Sequence, residues 1–179
     1  MLRNSGEQYG LIAKLFHWGL ALYLLGMFIF GKYLASMTVG FSNLHLFNWH
    51  KVFGLIVLTL ILLRLAWRLL SPPPPTLISG AKTWELRLAH FTHIMLYGIM
   101  LCMPLTGWIA SSATGIPISL FGLVNLPLIA PPSEVVEDVF FGLHGLLGFL
   151  LVLFVALHVA GALKRHFVFR DKTLRRMWF

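Results

Sequence analysis

Four apolar runs, each long enough to cross a lipid bilayer, constrain this chain more than any other feature. They cover residues 15–35, 48–70, 88–110 and 139–163. Each run is close to the roughly 20 residues that a bilayer-crossing helix needs. With 58% hydrophobic and 11% charged residues, a water-soluble domain of this size could not bury all of its apolar surface. We therefore predict an all-α membrane protein in which residues 1–179 form one bundle of four transmembrane helices.

The first run could instead belong to a cleaved signal peptide, because Lys14 precedes it. The run is long for the apolar part of a signal peptide, and no A-x-A cleavage pattern follows it. We therefore expect the first run to be a transmembrane span.

Lysine and arginine are distributed unequally between the two ends of the spans. One side has only Lys32 and Lys51, and the other side has twelve basic residues: Arg3, Lys14, Arg64, Arg68, Lys82, Arg87, Lys164, Arg165, Arg170, Lys172, Arg175 and Arg176. Because cytoplasmic loops carry such an excess, we predict that both termini face the cytoplasm. The net charge of +8 does not indicate nucleic acid binding, since the basic residues lie at the ends of apolar runs and form no single binding face.

The segments between the runs carry fewer signals. Pro72–Pro75 follow the second run and cannot continue a helix. The outer loop, residues 111–138, is rich in glycine and proline, and its apolar residues 118–123 are expected to rest on the membrane surface. Cys102 is the single cysteine and no CxxCH motif is present, so any haem would be held non-covalently.

Histidines inside the apolar runs are the strongest functional signal, because ionisable groups in a membrane span are costly and mark functional sites by default. His144 and His158 are fourteen residues apart, which is close to four helical turns, so they share one face about 21 Å apart. His17 begins a span that runs outward, and His50 begins a span that runs inward. Depth therefore pairs His17 with His158, and His50 with His144.

Two neutral imidazoles that face each other between helices are the axial ligands expected of an electron-transfer haem b. A porphyrin also needs room beside each ligand. The residues one turn further along the same faces are all small: Ala21, Gly54, Gly148 and Ala162. The alternative, in which each histidine simply bonds to a neighbouring helix, stays open.

Other polar residues in the runs have candidate roles near the same sites. His90 and His93 lie three residues apart at the inner depth, where they could contact a quinone carbonyl, relay protons or bond a propionate. Arg64 and Arg68 could pair with anionic haem propionates or extend into the lipid interface. Lys51 is their counterpart on the outer side.

The order and spacing of several motifs resemble those of the bacterial cytochrome b561 family, short four-helix di-haem proteins of the inner membrane. The resemblance covers nearly the whole chain. It rests on Phe16-His17-Trp18, His50 with Gly54, Leu63-Arg64-Leu65 to Arg68 before Ser71 and the prolines, Leu88-Ala89-His90-Phe91-Thr92-His93, Met103-Pro104-Leu105-Thr106-Gly107, and the His144 to His158 span that ends in Arg170-Asp171-Lys172-Thr173-Leu174.

This resemblance implies two haem b groups held by His17, His50, His144 and His158. For the most similar relatives it also implies superoxide oxidase activity, in which superoxide gives up an electron at the outer face and ubiquinone accepts it. Superoxide is an anion that positive charge would steer. The outer side offers Lys32 and Lys51 for this, together with three carboxylates: Glu134, Glu137 and Asp138.

Two other functions are compatible with the same residues. One is a haem-binding anchor subunit that passes electrons between quinone and a larger dehydrogenase or hydrogenase. Short loops and tails leave little docking surface for such a partner, which favours the self-contained oxidoreductase. The other is a metal transporter with soft ligands from Met27, Met95, Met100 and Met103, although methionine in spans is usually packing. The sequence leaves open whether the chain forms a homodimer.

Overall fold

A computed structural model of the protein describes residues 1–77 and 80–179, and it is mostly helical. Its helices are α1 (Leu11–Ala35), α2 (Leu44–Leu70), α3 (Thr83–Ala113), α4 (Glu134–Phe167) and α5 (Thr173–Met177); a small hairpin contains β1 (Ser119–Leu120) and β2 (Val124–Asn125). The first four helices are long and apolar enough to cross a membrane. Each of them contains one of the four apolar runs and begins four or five residues before it.

Local signals account for where these helices begin and end. The hydroxyl of Ser133 accepts a hydrogen bond from the backbone N–H of Val136 at the start of α4, and Glu134 and Glu137 lie in its first turn, where the helix dipole favours negative charge. At its other end, α2 stops at Leu70, just before the four prolines.

Most of the apolar surface of the four long helices faces outward. In their most hydrophobic windows, only 6% to 17% of the residues are buried inside the protein. Large side chains such as Leu22, Phe149 and Val135 are more than 60% exposed. A bundle with this surface is stable only where lipid surrounds it.

The helices pack as a chain of neighbours: α1 against α2, α2 against α3, and α3 most extensively against α4. A buried cluster of Leu20, Val57 and Ile61 joins α1 to α2. Leu20 follows His17 by one turn, and Ile61 precedes Arg64 by one turn. This apolar layer therefore lies between the two ends of the bundle, close to the end that carries both chain termini, which is called the inner end below.

The outer loop folds back over the outer end of α2. The side chain of Asn48 donates a hydrogen bond to the carbonyl of Ser119 at 2.8 Å and accepts one from the N–H of the same residue at 3.0 Å. Within the apolar stretch that we expect on the membrane surface, Ile118 is buried. The exposed Phe121 ring contacts Trp49 edge to face.

The inner end is closed by the C-terminal tail. Arg165 forms an ion pair with Asp171 at 2.6 Å and also bonds to the hydroxyl of Thr173. Burial raises the pKa of Asp171, but hydrogen bonds from Thr173 and the Arg165 guanidinium outweigh that effect and hold the pKa below its usual value. The Trp18 indole donates to the carbonyl of Met177 at 2.9 Å, so the tail is fastened to α1 beside His17.

Candidate functional site

The outer pair of histidines lies between α2 and α4. The ring centroids of His50 and His144 are 6.3 Å apart, and their planes are nearly perpendicular at 80°. Nδ1 of His144 lies 2.9 Å from the backbone carbonyl of Met103 on α3. Because a carbonyl can only accept, Nδ1 carries the proton and Nε2 keeps its lone pair, which is the arrangement that a metal-ligating histidine needs.

Two glycines allow these rings to lie against neighbouring helices. A Cβ atom added to Gly31 of α1 would lie 3.1 Å from Cε1 of His50, and one added to Gly107 of α3 would lie 3.1 Å from Cε1 of His144. Such distances are too short for an unstrained contact. Sequence reasoning did not find either role. Gly107 stood in one of the quoted motifs, but nothing in the sequence showed what it would contact.

The inner pair lies between α1 and α4, and a third histidine joins it. The ring centroids of His17 and His158 are 5.9 Å apart. The ring of His93, from α3, is only 5.1 Å from that of His158, in an edge-to-face contact. Three imidazoles therefore meet at this depth, and His158 touches both of the others.

Spacing and helix packing distinguish the two possible ligand pairs at the inner end. Metal–imidazole bonds of about 2 Å on each side separate two ring centroids by about 6 Å. The distance between His17 and His158 fits that value, whereas His93 lies too close to His158. Since α3 and α4 are also the most closely packed helices, His17 and His158, rather than His93 and His158, would hold a haem at this depth.

Arg64 of α2 contacts the inner pair directly. Its guanidinium donates hydrogen bonds to Nδ1 of His17 at 3.0 Å, to the carbonyl of Phe16 at 3.3 Å and to the Tyr97 hydroxyl at 3.3 Å. Both Arg64 and Arg68 also lie within 6 Å of the centre of the Tyr97 ring. The sequence predicted the two arginines but missed Tyr97, whose hydroxyl holds Arg64 in the site.

The donor set fits a haem better than a bare metal ion. In the described part of the chain, no group of three or more His, Cys, Asp or Glu side chains is arranged to hold a metal. Two separate imidazole pairs instead suit a metal whose other ligands come from a macrocycle. Of the small residues beside these histidines, Gly54 would accept a Cβ atom with nothing within 4 Å, and at Gly148 a Cβ atom would meet only the methyl group of Met103, at 3.4 Å.

Haem binding would change the hydrogen bonding of His17. A neutral imidazole has one nitrogen with a free lone pair, and in this structure Arg64 donates to it at Nδ1. If His17 held a haem iron through Nε2, its Nδ1 would carry the proton and could not accept from Arg64. The guanidinium would then be free to pair with an anion such as a propionate.

The remaining predicted residues are less tightly grouped. His90 points away from the bundle, so the structure separates it from His93. It lines a groove of about 460 Å³ with Thr83, Leu86, Arg87, Phe91 and Ile94. On the outer side Lys32 is exposed at the end of α1, and Lys51 is half-buried within electrostatic range of Glu137.

Apolar spans with paired histidines inside the bundle are typical of membrane cytochromes. A profile of the family described as "Prokaryotic cytochrome b561" matches residues 8–179. "Cytochrome b561 homolog 2" from Escherichia coli (strain K12) is 33% identical over 175 residues, which are 97% of this chain and 93% of that protein. "Probable superoxide oxidase CybB" from Yersinia pestis is 28% identical over 128 residues, 72% of each chain.

The chain belongs to the prokaryotic cytochrome b561 family. It is a multi-pass bacterial membrane protein of electron transfer, in a family that typically binds haem b. The resemblance drawn from its motifs is thereby confirmed.

Proposed function

We propose that the protein is a di-haem superoxide:ubiquinone oxidoreductase of the bacterial inner membrane, with both termini in the cytoplasm. The observation that carries this proposal is the presence of two imidazole pairs at opposite ends of α4, with ring centroids 6.3 Å and 5.9 Å apart. His50 and His144 would hold one haem b, and His17 and His158 the other. Each haem, when bound, supplies a one-electron redox centre.

The reaction balances with two superoxide ions for each quinone. Each superoxide gives up one electron at the outer face and leaves as O₂. Ubiquinone takes two electrons and two protons and leaves as ubiquinol. Support for superoxide as the donor comes from the name of the Yersinia pestis relative and from Lys51 and Lys32, the two basic residues of the outer side, which would attract the anion.

The groove around His90 is the site that we assign to the quinone ring. It is open to lipid, where ubiquinone is dissolved, and its apolar walls suit a flat ring. His90 can donate a hydrogen bond to a quinone carbonyl, and Arg87 lies beside it in the same groove. His93 is one turn further along α3, with its ring in contact with His158. The groove therefore lies on the same helix as His93, one turn away, with His90 itself facing away from the bundle.

Purified protein in detergent tests this function. We expect two haem b per chain by visible absorption, reduction of the haems when superoxide is added without other donors, and one ubiquinone analogue reduced for every two superoxide ions consumed. A protein that binds haem and is reduced by quinol but not by superoxide would contradict the oxidase and match the anchor subunit. A colourless protein would contradict both.

Variants separate the ligand assignment from the quinone assignment. His17→Ala and His144→Ala should each lose one haem of the two. His90→Ala should keep both haems and their reduction by superoxide, with KM for the quinone about fivefold higher, because one hydrogen bond contributes about 1 kcal/mol. His45→Ala, an exposed histidine at the outer end of α2, is the matched control and should change none of these quantities.

A further inference from the structure

The two ligand pairs differ in the charge that surrounds them. At the inner pair, the Arg64 guanidinium lies 3.0 Å from Nδ1 of His17. At the outer pair, His144 bonds to a neutral backbone carbonyl, and Nδ1 of His50 has no hydrogen-bond partner among the described residues. The cation nearest in sequence to the outer pair is Lys51, which Glu137 offsets.

Arg68 adds to the positive charge at the inner end. Its guanidinium carbon is 5.9 Å from the centre of the Tyr97 ring, and that of Arg64 is 5.8 Å from the same point. Tyr97 thus brings both arginines to the depth of the inner histidines.

Among the described residues, no acidic side chain forms an ion pair with either arginine. Within the described residues, the ion pairs are Lys164 with Glu85 and Arg165 with Asp171, and neither Arg64 nor Arg68 takes part in one. Arg64 is half-buried and Arg68 is exposed, so water and salt screen the charge of Arg64 less than that of Arg68. The inner pair therefore lies in a more positive potential than the outer pair, where Glu137 offsets Lys51.

Reduction of a haem iron removes one unit of positive charge from the site. A fixed cation nearby favours the reduced form and raises the reduction potential. If Arg64 pairs with a propionate after haem binding, the direction of the effect is the same, because the guanidinium then cancels an anion that would otherwise favour the oxidised form.

We infer that Arg64, with Arg68 in support, gives the inner haem the higher reduction potential, so that electrons move from the His50–His144 site to the His17–His158 site. This inference rests on the proposed function, because it gives the direction in which the two haems conduct. Arg64 then acts through its charge on the reduction potential of the inner haem, and it does not itself react with superoxide or quinone.

Potentiometric titration of single-haem proteins tests this inference. His144→Ala leaves the inner haem, and His17→Ala leaves the outer haem. Adding Arg64→Gln to His144→Ala should lower the midpoint potential by about 59 mV, which is a tenfold change in a one-electron equilibrium constant. Adding it to His17→Ala should leave the midpoint potential unchanged. Arg64→Lys keeps the charge, so with this substitution the midpoint potential of the inner haem should stay close to the value measured with Arg64.

Lys172→Gln is the control for net charge, since it removes an exposed cation of the inner side that forms no ion pair among the described residues. It should shift neither midpoint. If Arg64→Gln abolishes haem binding, Arg68→Gln is measured in the same backgrounds instead. It should lower the midpoint potential by a smaller amount, and only that of the inner haem. Equal shifts in both backgrounds, no shift, or a rise in the inner potential would overturn the inference.

These outcomes are distinct from failure of the proposed function. The titration uses a chemical reductant, so its result does not depend on superoxide or quinone as substrates. If Arg64→Gln lowers the midpoint potential of the inner haem but the protein does not oxidise superoxide, the direction of electron flow is supported and superoxide is not the donor. If superoxide reduces the haems but Arg64→Gln leaves the midpoint potential of the inner haem unchanged, superoxide is supported as the donor and Arg64 does not set the potential.

Discussion

The imidazole of His144 lies tightly against α3. Its Nδ1 bonds to the carbonyl of Met103, and its ring edge lies against Gly107, one turn further along the same helix. A methyl group at Gly107 would lie 3.1 Å from Cε1 and 3.2 Å from Nδ1 of the ring. The hydrogen bond and the position of the ring therefore both depend on residue 107 being glycine.

We predict that Gly107→Ala moves the ring of His144 and weakens retention of the outer haem about tenfold. Overpacking a tight contact costs about 1–3 kcal/mol, and 1.4 kcal/mol is a factor of ten. The measurement is the haem content of the purified protein during dilution into haem-free detergent, followed by absorption. The inner haem should be retained as in the unaltered protein.

Gly98→Ala on the same helix is the matched control, because a Cβ atom there meets nothing within 4 Å. It should retain both haems. Equal loss of the two haems in Gly107→Ala, or equal behaviour of the two variants, would show that Gly107 does not act through His144.

At the scale of elements, the hairpin of the outer loop is held to α2 mainly through Asn48. Both hydrogen bonds of the Asn48 side chain go to the backbone of Ser119. Phe121, which has a positive φ of 53°, contacts Trp49, the residue just before His50. The hairpin thus covers the end of the helix that carries His50.

Asn48→Ala should release this hairpin while leaving the helices in place. Two hydrogen bonds of about 1 kcal/mol each correspond to about a thirtyfold rise in the population of the open loop. Hydrogen exchange measured by mass spectrometry should show faster exchange over residues 118–126. Asn43→Ala is the control, because the Asn43 side chain bonds only within its own loop, to Gly40 and Thr38. If exchange over the hairpin stays slow in Asn48→Ala, Asn48 does not hold the hairpin to α2.

On the scale of the whole molecule, the inner end collects most of the charge. The C-terminal tail, the loop after α2 and the N-terminal segment are joined there by bonds from Arg176 to the carbonyls of Pro75 and Glu7 and from Asn4 to the carbonyl of Ser71. Twelve of the fourteen lysines and arginines lie at this end. By the positive-inside rule we predict that this surface faces the cytoplasm.

Fusion reporters test this orientation. A fluorescent protein fused after Phe179 should be bright and an alkaline phosphatase fused there inactive, because the former matures in the cytoplasm and the latter in the periplasm. Fusions after Leu128, in the outer loop, should give the opposite result and serve as the internal control. Active phosphatase at the C-terminus would contradict the predicted orientation and with it the side that we propose for superoxide oxidation.

The number of helices and the depth of each histidine could be predicted because they depend on local properties. Hydropathy over about 20 residues identifies a span, and a rise of 1.5 Å per residue gives the height of His144 and His158 on α4. The structure places His17 beside His158 and His50 beside His144, the neighbours that depth alone predicted.

What lies around each imidazole was decided only by the tertiary structure. Sequence spacing grouped His90 with His93, but the rotation of α3 turns His90 outward and His93 toward His158. The contact of Arg64 with His17 and the glycine beneath His144 join residues that are 47 and 37 positions apart in the chain. Periodicity gives the height of a side chain along its own helix, whereas its partners depend on how the helices rotate and approach one another, and those variables are set by packing between distant parts of the chain.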